Sequence, residues 1–246
     1  MRMTEPLLMV EKLGVRFGAA RVLEDVNLEI ASGEIVGVVG PNSAGKTTTL
    51  RAISGLVERF KGEIRLGGKL LPADPEAIAR MGIAHVPEGR GLVPSLTVRQ
   101  NLRLALSAIG VRYEASHWDY VTSIFPALAR LSEQQAGLLS GGEQQMVAIG
   151  RGLVVRPTVL MIDELSLGLA PKIVQNLLTT LSATVEREKL TVLLVDQNVR
   201  ALSRMCVRLY SLNFGCSSVT ALHDESVYRS IYFGEAGQNP LVQNNP

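Results

Sequence analysis

Residues 40–49 (GPNSAGKTTT) have the types and the spacing of a loop that binds phosphate groups. The preceding run EIVGVV is apolar and β-branched, as in a buried strand, and residues 46–56 have the pattern of a helix. Backbone N–H groups at such a junction converge on an anion, and the helix dipole adds positive potential there. We expect Lys46 to neutralise the β- and γ-phosphates of a nucleotide and the Thr47 hydroxyl to ligate magnesium. The alternative is an ordinary glycine-rich turn with a solvated lysine.

Four further polar side chains come one or two residues after apolar, strand-like runs: Glu88, Asp163, Glu164 and Gln197. The carboxyl ends of the strands in an open α/β sheet form the edge at which ligands bind. Asp163 has the position of a carboxylate that holds magnesium through water, and Glu164 is placed to orient and deprotonate an attacking water. Singly, Asp163 could cap a helix and Glu164 could be a solvated carboxylate. Together, at one edge, they indicate a site that hydrolyses a nucleotide.

The segment LSGGEQQ, residues 139–145, has the S-x-x-E form of a capping box at a helix N-terminus. Ser140 is the predicted N-cap, and Glu143 can cap back. Gly141 and Gly142 would each weaken the first turn by about 1 kcal/mol. Close approach of another molecule is one reason for two glycines here, which favours an anion site. The alternative is a weak cap on an ordinary helix.

The elements that must position these residues alternate strand and helix through the middle of the chain, which predicts an α/β fold with a mainly parallel sheet. Residues 7–17 and 21–30 alternate apolar and polar side chains around Gly18, and they predict an antiparallel hairpin at the start. Phe17, at its tip, could stack on a nucleotide base or pack within the hairpin. Residues 90–140 are richer in helix and predict a helical subdomain inserted between two strands.

Local patterns place the remaining elements and the domain limits. We expect one domain over residues 1–234 and a frayed tail over residues 235–246, which are rich in Asn, Gln and Pro. Thr97 and Gln100 predict a second capping box, at the start of a helix that runs to about residue 109. The other predicted strands cover residues 61–71 (interrupted by two glycines), 82–86, 158–162, 190–195, 207–212 and 217–222. The other predicted helices cover residues 75–81, 116–130, 173–187 and 225–233.

Composition limits the classes of protein that fit. The chain has 246 residues, 46% hydrophobic and 20% charged, with a formal net charge of +2 and no dense Lys/Arg stripe, so nothing indicates binding to nucleic acid. Cys206 and Cys216 have no histidines at ligand spacing, which favours buried thiols in a reducing compartment over metal binding. The N-terminus lacks the apolar core of a signal peptide and no run approaches 18 apolar residues, so we expect a soluble cytoplasmic protein.

The segments GPNSAGKT, LSGGEQQ and VLMIDE, in this order, resemble the ATP-binding cassette (ABC) family of transport ATPases over nearly the whole chain. The resemblance implies ATP and Mg²⁺ as cofactors and a head-to-tail pair of cassettes with two ATP molecules between them. It implies that Glu164 and Gln197 are catalytic and that Thr47, Asp163 and Glu88 hold Mg²⁺. The implied ATP contacts within the chain are Phe17, Gly40, Pro41, Asn42, Ser43, Ala44, Gly45, Lys46, Thr47, Thr48 and Glu88. The implied contacts with an ATP held by the second cassette are Ser140, Gly141, Gly142 and Glu143.

Longer segments of the chain resemble one group within this family. VPEGRGLVPSLTVRQNL, LSGGEQQMVAIGRGL, ELSLGLAP and LLVDQN look like the ATPase subunits of branched-chain amino acid importers. Most cassettes have glutamine at position 88 and histidine at position 197, whereas Glu88 and Gln197 are the form of one of the two ATPase subunits of those importers. The resemblance implies a second cassette as partner, either another copy or, as Glu88 and Gln197 favour, a different, related cassette. It also implies two permease subunits that contact residues 90–101, and indirectly an extracytoplasmic solute-binding protein. It places the chain at the cytoplasmic face of the membrane.

Three residues depart from the family pattern. Ser43 stands where the family almost always has glycine, and if that position needs a positive φ the serine costs about 1–3 kcal/mol of strain. Leu165 replaces the usual proline, and Leu169 stands where many cassettes have an aspartate. None of the three removes a catalytic group, so we expect a working ATPase.

Three alternatives fit parts of the sequence. A lipid-extracting exporter ATPase has some similarity to NVRALSRMC and VYRSIYFGE, but that group keeps Gln and His where this chain has Glu88 and Gln197. A non-transport ABC protein of ribosomes or DNA would usually carry two cassettes or a long coiled coil. A phosphate-loop kinase or a GTPase has no use for LSGGEQQ, and the chain lacks the N-K-x-D motif that selects guanine.

Overall fold

A computed structural model describes residues 6–220 as a mixed ten-stranded sheet covered by helices. The strands are β1 (Leu8–Phe17), β2 (Ala20–Ile30), β3 (Ile35–Val39), β4 (Arg59–Leu66), β5 (Lys69–Leu70), β6 (Ile83–Val86), β7 (Val159–Asp163), β8 (Thr191–Val195), β9 (Arg208–Asn213) and β10 (Cys216–Thr220). The α-helices are α1 (Lys46–Ile53), α2 (Pro75–Arg80), α3 (Val98–Ala108), α4 (Ala115–Ile124), α5 (Gly141–Leu153), α6 (Pro171–Glu188) and α7 (Val199–Leu202). The strand order is β5-β4-β1-β2-β10-β9-β3-β8-β7-β6. The predicted α/β class is confirmed.

The parallel part of the sheet carries the candidate site. Strands β9, β3, β8, β7 and β6 pair in parallel in that order. Every residue of β3, β7 and β8 is buried, as expected for strands covered on both faces, and this explains their continuous apolar sequences. The carboxyl ends of these strands therefore meet at one edge, where the predicted polar residues follow.

The antiparallel part is built from the first hairpin and the strands beside it. Strand β1 pairs with β2 on one side and with β4 on the other. The strand predicted over residues 61–71 is interrupted at the two glycines, as expected, but it does not continue beyond them as one strand, because β4 and β5 are antiparallel. Gly67 and Gly68 have φ values of 54° and 76°, and two consecutive left-handed residues make a tight hairpin turn.

The chain between β6 and β7 is mainly helical, as predicted. The capping box of Thr97 and Gln100 is confirmed, with the Thr97 N–H 2.9 Å from Gln100 Oε1. The helix predicted over residues 116–130 is wrong in its second half, because α4 ends at Ile124 and Pro126–Leu131 form a 3₁₀ helix. A proline disfavours the helical conformation of the residue before it, and Phe125 has φ −120° and ψ 78°.

Two apolar cores lie on the two faces of the sheet. One packs α3, α4, α5 and α6 against β6, β7 and β8, and the other packs α1 and α2 against β1, β2 and β4. Within residues 6–220, no helix combines the length and the apolar character needed to cross a bilayer. The predicted helix over residues 225–233 and the tail over 235–246 lie outside the described residues.

Candidate active site

The loop between β3 and α1 has the backbone that its glycines predict. Gly45 caps α1 in the left-handed conformation, with φ 101°, and a Cβ there would lie 2.4 Å from Leu23 Cδ2. A Cβ on Gly40 would lie 2.3 Å from the carbonyl oxygen of Leu212. Ser43 has φ 66°, so the strain of about 1–3 kcal/mol that a serine costs in this conformation applies. The loop is therefore packed tightly against its neighbours and keeps its shape.

Lys46, the first residue of α1, is 5% exposed. Its Nζ donates to the carbonyl oxygens of Gly40 and Pro41, both at 3.0 Å. Burial lowers the pKa of Lys46, and the carboxylates of Glu164 and Asp163 act in the opposite direction. Phosphate oxygens in place of these two neutral carbonyls would give the ammonium charged acceptors, which form stronger hydrogen bonds.

Asp163, the last residue of β7, is 1% exposed, and neither carboxylate oxygen has a hydrogen-bond donor within the described residues. The pKa of Asp163 is raised to about 6, mainly by burial. The nearby Thr47 side chain lowers this pKa without completing a hydrogen bond, and the charges of Glu164 and Glu88 raise it. A buried carboxylate without a donor is costly, and a bound cation would satisfy it. These residues therefore fit Mg²⁺.

The donors that would face a cation here are one carboxylate and one hydroxyl, those of Asp163 and Thr47. In the described part of the chain, no group of three or more His, Cys, Asp or Glu residues forms a closed metal site. Mg²⁺ usually takes only one or two protein carboxylates and keeps water and substrate phosphate oxygens as its other ligands. Asp163 and the Thr47 hydroxyl are enough for this mode of binding.

Glu164 and Gln197 are joined across the ends of β7 and β8. Gln197 Nε2 donates to Glu164 Oε1 at 2.9 Å, and the N–H of Glu164 donates to the carbonyl oxygen of Val195 at 2.7 Å. Glu164 has φ 49°, a left-handed conformation that costs about 1–3 kcal/mol and that the surroundings must hold. Strained backbone at a carboxylate beside a phosphate loop is typical of an active site.

A cleft of about 550 Å³ brings together most of the residues predicted to contact ATP within the chain. It is lined by Val22, Asn42, Ser43, Gly45, Lys46, Thr47, Thr48, Glu88, Glu164, Leu167 and Gln197. Val22 and Leu167 were not predicted, because an apolar side chain in a strand or a loop carries no signal of a ligand. Phe17 is 51% exposed at the end of β1 and does not line the cleft, so its stacking on a base stays a prediction.

The capping box at the start of α5 is confirmed. Ser140 Oγ donates to Glu143 Oε2 at 2.7 Å, and the Ser140 N–H donates to the same oxygen at 3.0 Å. The two glycines also have neighbours within the chain: a Cβ on Gly142 would lie 2.9 Å from Ile173 Cγ2, and one on Gly141 would lie 3.1 Å from an Arg90 nitrogen. Packing therefore supplies one reason for these glycines, and their contact with a second cassette's ATP stays a prediction.

The loop that carries Glu88 is tied to α5. Arg151 donates to the carbonyl oxygens of Gly91 and Arg90 at 2.6 and 3.1 Å, and Arg90 donates to Gln144 Oε1 at 2.5 Å. Burial lowers the pKa of Arg151. The position of the Glu88 loop therefore depends on the helix that begins at the second glycine-rich segment.

Comparison with known proteins places the chain among transport ATPases. The family model described as "ABC transporter" matches residues 23–166. The high-affinity branched-chain amino acid transport ATP-binding protein BraG of Pseudomonas aeruginosa is 40% identical over 85% of this chain and 90% of its own length. The lipopolysaccharide export system ATP-binding protein LptB of Haemophilus influenzae is 32% identical over 93% of this chain and 98% of its own length.

Solved structures agree with this assignment. An ATP-binding subunit of an ABC transporter matches with a TM-score of 0.78 and 29% identity, over 92% of this chain and 99% of the other. The matched family model covers the phosphate loop, the LSGGEQQ segment and the Asp163–Glu164 pair, which is the constellation described above. The chain therefore belongs to the ABC transporter family, as an ATP-hydrolysing transport ATPase.

Proposed function

We propose that this chain is the energising subunit of an importer for branched-chain or similar small amino acids or amides. The observation that carries the substrate class is the 40% identity to a branched-chain amino acid transport protein, compared with 32% to a lipopolysaccharide export protein. Glu88 and Gln197, the two residues whose identities resemble the importer subunits, both line the cleft.

ATP binding uses the loop before α1. The backbone N–H groups of Asn42, Ser43 and Gly45 and the start of α1 surround the phosphate groups, and Phe17 stacks on the base. Lys46 leaves its two loop carbonyls and binds the β- and γ-phosphates. Thr47, Asp163 and Glu88 would hold Mg²⁺, which when bound neutralises charge on those phosphates.

Hydrolysis uses the pair of residues joined across β7 and β8. Glu164 orients and deprotonates the attacking water, a role worth about 10² to 10⁴ in rate. The hydrogen bond from Gln197 Nε2 to Glu164 Oε1 orients this carboxylate. Positive charge from Lys46 and from the loop N–H groups supplies most of the remaining stabilisation of the transition state.

The working unit is a pair of cassettes on two permease subunits. Ser140, Gly141, Gly142 and Glu143 complete the site of the partner cassette, since they do not line the cleft of their own chain. ATP binding closes the pair and hydrolysis reopens it, which drives alternating access of the permeases at the cytoplasmic face of the membrane. A solute-binding protein outside the membrane delivers the solute.

Transport in proteoliposomes tests this proposal. The chain is purified with its permease partners from the membranes of its source and is reconstituted with the matching solute-binding protein. We expect ATP-dependent uptake of leucine or a similar amino acid, and the matched variant Glu164→Gln should assemble normally without driving uptake. A complex whose ATP hydrolysis responds to a lipid and ignores the loaded binding protein would overturn the importer assignment.

A lipid-exporter ATPase is the second candidate, because the similarity to lipopolysaccharide export proteins extends over 93% of the chain. The same preparation separates the two. An importer complex contains permeases that bind a soluble solute receptor, whereas an exporter complex carries lipid and needs no such receptor.

A further inference from the structure

A buried carboxylate beside the active site has no role in the mechanism above. Asp196 comes directly after β8 and immediately before Gln197, and it is 4% exposed. It is not among the residues that line the cleft, so it offers no direct contact to a nucleotide there. A charge buried at this place needs partners, and its partners indicate what it does.

The Asp196 carboxylate binds two loops at once. Oδ2 accepts from the Ser166 N–H at 2.9 Å, and Oδ1 accepts from Ser166 Oγ at 2.7 Å and from the Asn198 N–H at 2.9 Å. Hydrogen bonds to an ionised acceptor are stronger than neutral ones, and burial limits competition from water. One side chain therefore fixes the loop after β7 relative to the loop after β8.

Both anchored residues are close in sequence to the pair that hydrolyses ATP. Ser166 lies two residues after Glu164, and Asn198 lies one residue after Gln197. Glu164 itself has a left-handed backbone with φ 49° and a single backbone tie to β8 through its N–H. The Ser166 anchor holds the other side of this strained residue, so it limits how far the Glu164 carboxylate can move from Gln197.

We propose that Asp196 is a positioning residue for ATP hydrolysis, which holds Glu164 and Gln197 in register by bonding Ser166 and Asn198; this rests on the proposed roles of Glu164 and Gln197. Loss of this positioning should slow the chemical step of hydrolysis. A displacement of about 1 Å at a general base can cost about a hundredfold in rate, whereas ATP binding depends on the separate loop before α1.

Two variants weaken the hydrogen bonds of the Asp196 side chain by different amounts. Ser166→Ala removes one hydroxyl donor and leaves the backbone bond. Asp196→Asn removes the charge that three donors face and puts an amide N–H₂ against at least one of them. We expect kcat to fall roughly tenfold for the first and up to about a hundredfold for the second, while KM for ATP stays within about twofold of wild type. Ser166→Thr keeps the hydroxyl and should keep the wild-type kcat. Ser123→Ala, which removes an exposed hydroxyl bonded to the Tyr120 carbonyl, is the matched control.

A double-mutant cycle decides whether Asp196 acts through Glu164. In a Glu164→Gln background, Ser166→Ala should leave the residual single-turnover rate unchanged, because there is no general base to position. A further fall in that rate, or a raised KM with unchanged kcat in the single variants, overturns the inference. If Glu164→Gln itself turns over ATP at the wild-type rate, the proposed function of Glu164 is wrong. If Glu164→Gln is inactive while Ser166→Ala and Asp196→Asn match wild type, only the positioning inference fails.

Discussion

At the scale of single residues, we expect Asp163 to lower the stability of the metal-free protein and to be needed for ATP hydrolysis. Its buried, unpartnered carboxylate has a pKa raised to about 6 by burial, against 3.8 for an ordinary aspartate. A raised pKa means a contribution to stability that is present below pH 3.8 and is lost as the pH rises through 6. Asp163→Asn should therefore stabilise the metal-free protein above pH 6 by about 1–3 kcal/mol and lower ATP hydrolysis by at least about a hundredfold.

Urea unfolding without Mg²⁺, at pH 8 and at pH 4, checks this prediction. The gain of Asp163→Asn over wild type should be present at pH 8 and nearly absent at pH 4. Asp119→Asn, which removes an exposed carboxylate, serves as the control and should change stability little at either pH. Equal stability of Asp163→Asn and wild type at pH 8 would contradict the argument.

Gln197 leads to a prediction about the pH dependence of hydrolysis. The Gln197 amide does not titrate, so the pH profile of wild-type kcat should show no change near pH 6.5 that comes from this position. Gln197→His should keep a hydrogen-bond donor to Glu164 and should add a change in kcat near pH 6.5. The measurement is kcat for both proteins across pH 5.5 to 8.5, from about one unit below to about two units above the imidazole pKa. A ratio of the two kcat values that does not change with pH would count against the placement of Gln197.

The residue types in the site were predictable, but their conformations and partners were not. Spacing alone indicated Lys46 and Thr47 at a strand-to-helix junction, because that chemistry requires fixed sequence positions. The positive φ of Ser43 was only conditional, since serine itself disfavours that conformation. The bond from Ser166 to Asp196 spans 30 residues, and no local pattern connects two residues at that separation.

At the scale of elements, the strands and capped helices were the most predictable. The buried strands β3, β7 and β8 are uninterrupted apolar runs, and both S/T-x-x-E/Q capping boxes form as their sequences indicate. Helix α7 was missed because four residues are too short for a helical period to appear. The helix predicted to continue to residue 130 failed because its apolar spacing continues past Phe125, whereas Pro126 changes the backbone.

The contact between β6 and α1 supports a prediction about acid stability. Ser54 Oγ donates to the Leu50 carbonyl at 2.9 Å, so His85 Nδ1, 3.0 Å away, is the donor to Ser54 Oγ. Nε2 of His85 is then buried without a proton or a partner within the described residues. Burial, with a smaller effect of the Arg51 charge, lowers the pKa of His85 to about 4.

A lowered histidine pKa makes stability decrease toward acid pH. The contribution is complete above pH 6.5 and is lost as the pH falls from 6.5 to about 4, by about 3 kcal/mol in total. His85→Gln removes this titration, so the stability difference between wild type and variant should shift toward the variant between pH 7.5 and pH 4.5. Urea unfolding at the two pH values measures it, and the pH 7.5 value controls for the lost contact. A difference that does not change with pH would show that His85 is not held neutral.

At the scale of the whole molecule, the two glycine-rich segments lie in different places. The loop before α1 lines the cleft of its own chain, whereas Ser140 at the start of α5 does not. The Glu88 loop is nevertheless bonded to α5 through Arg151 and Arg90, so hydrogen bonds connect the cleft to the remote helix. This arrangement suits a pair in which a second copy or a related chain brings its own α5 to the open side of the cleft.

Complementation between two inactive variants tests that arrangement. Lys46→Ala disables the chain's own phosphate loop, and Ser140→Arg places a bulky cation where the partner's ATP would sit, so each protein alone should lose turnover. A head-to-tail pair of one Lys46→Ala chain and one Ser140→Arg chain contains one site with both defects and one site with neither. If two copies of this chain form the pair, an equimolar mixture should recover about one quarter of wild-type turnover, since half of the pairs are mixed and each has one intact site. Full turnover by Ser140→Arg alone, at dilutions where the protein is monomeric, would show that the cleft of a single chain is sufficient.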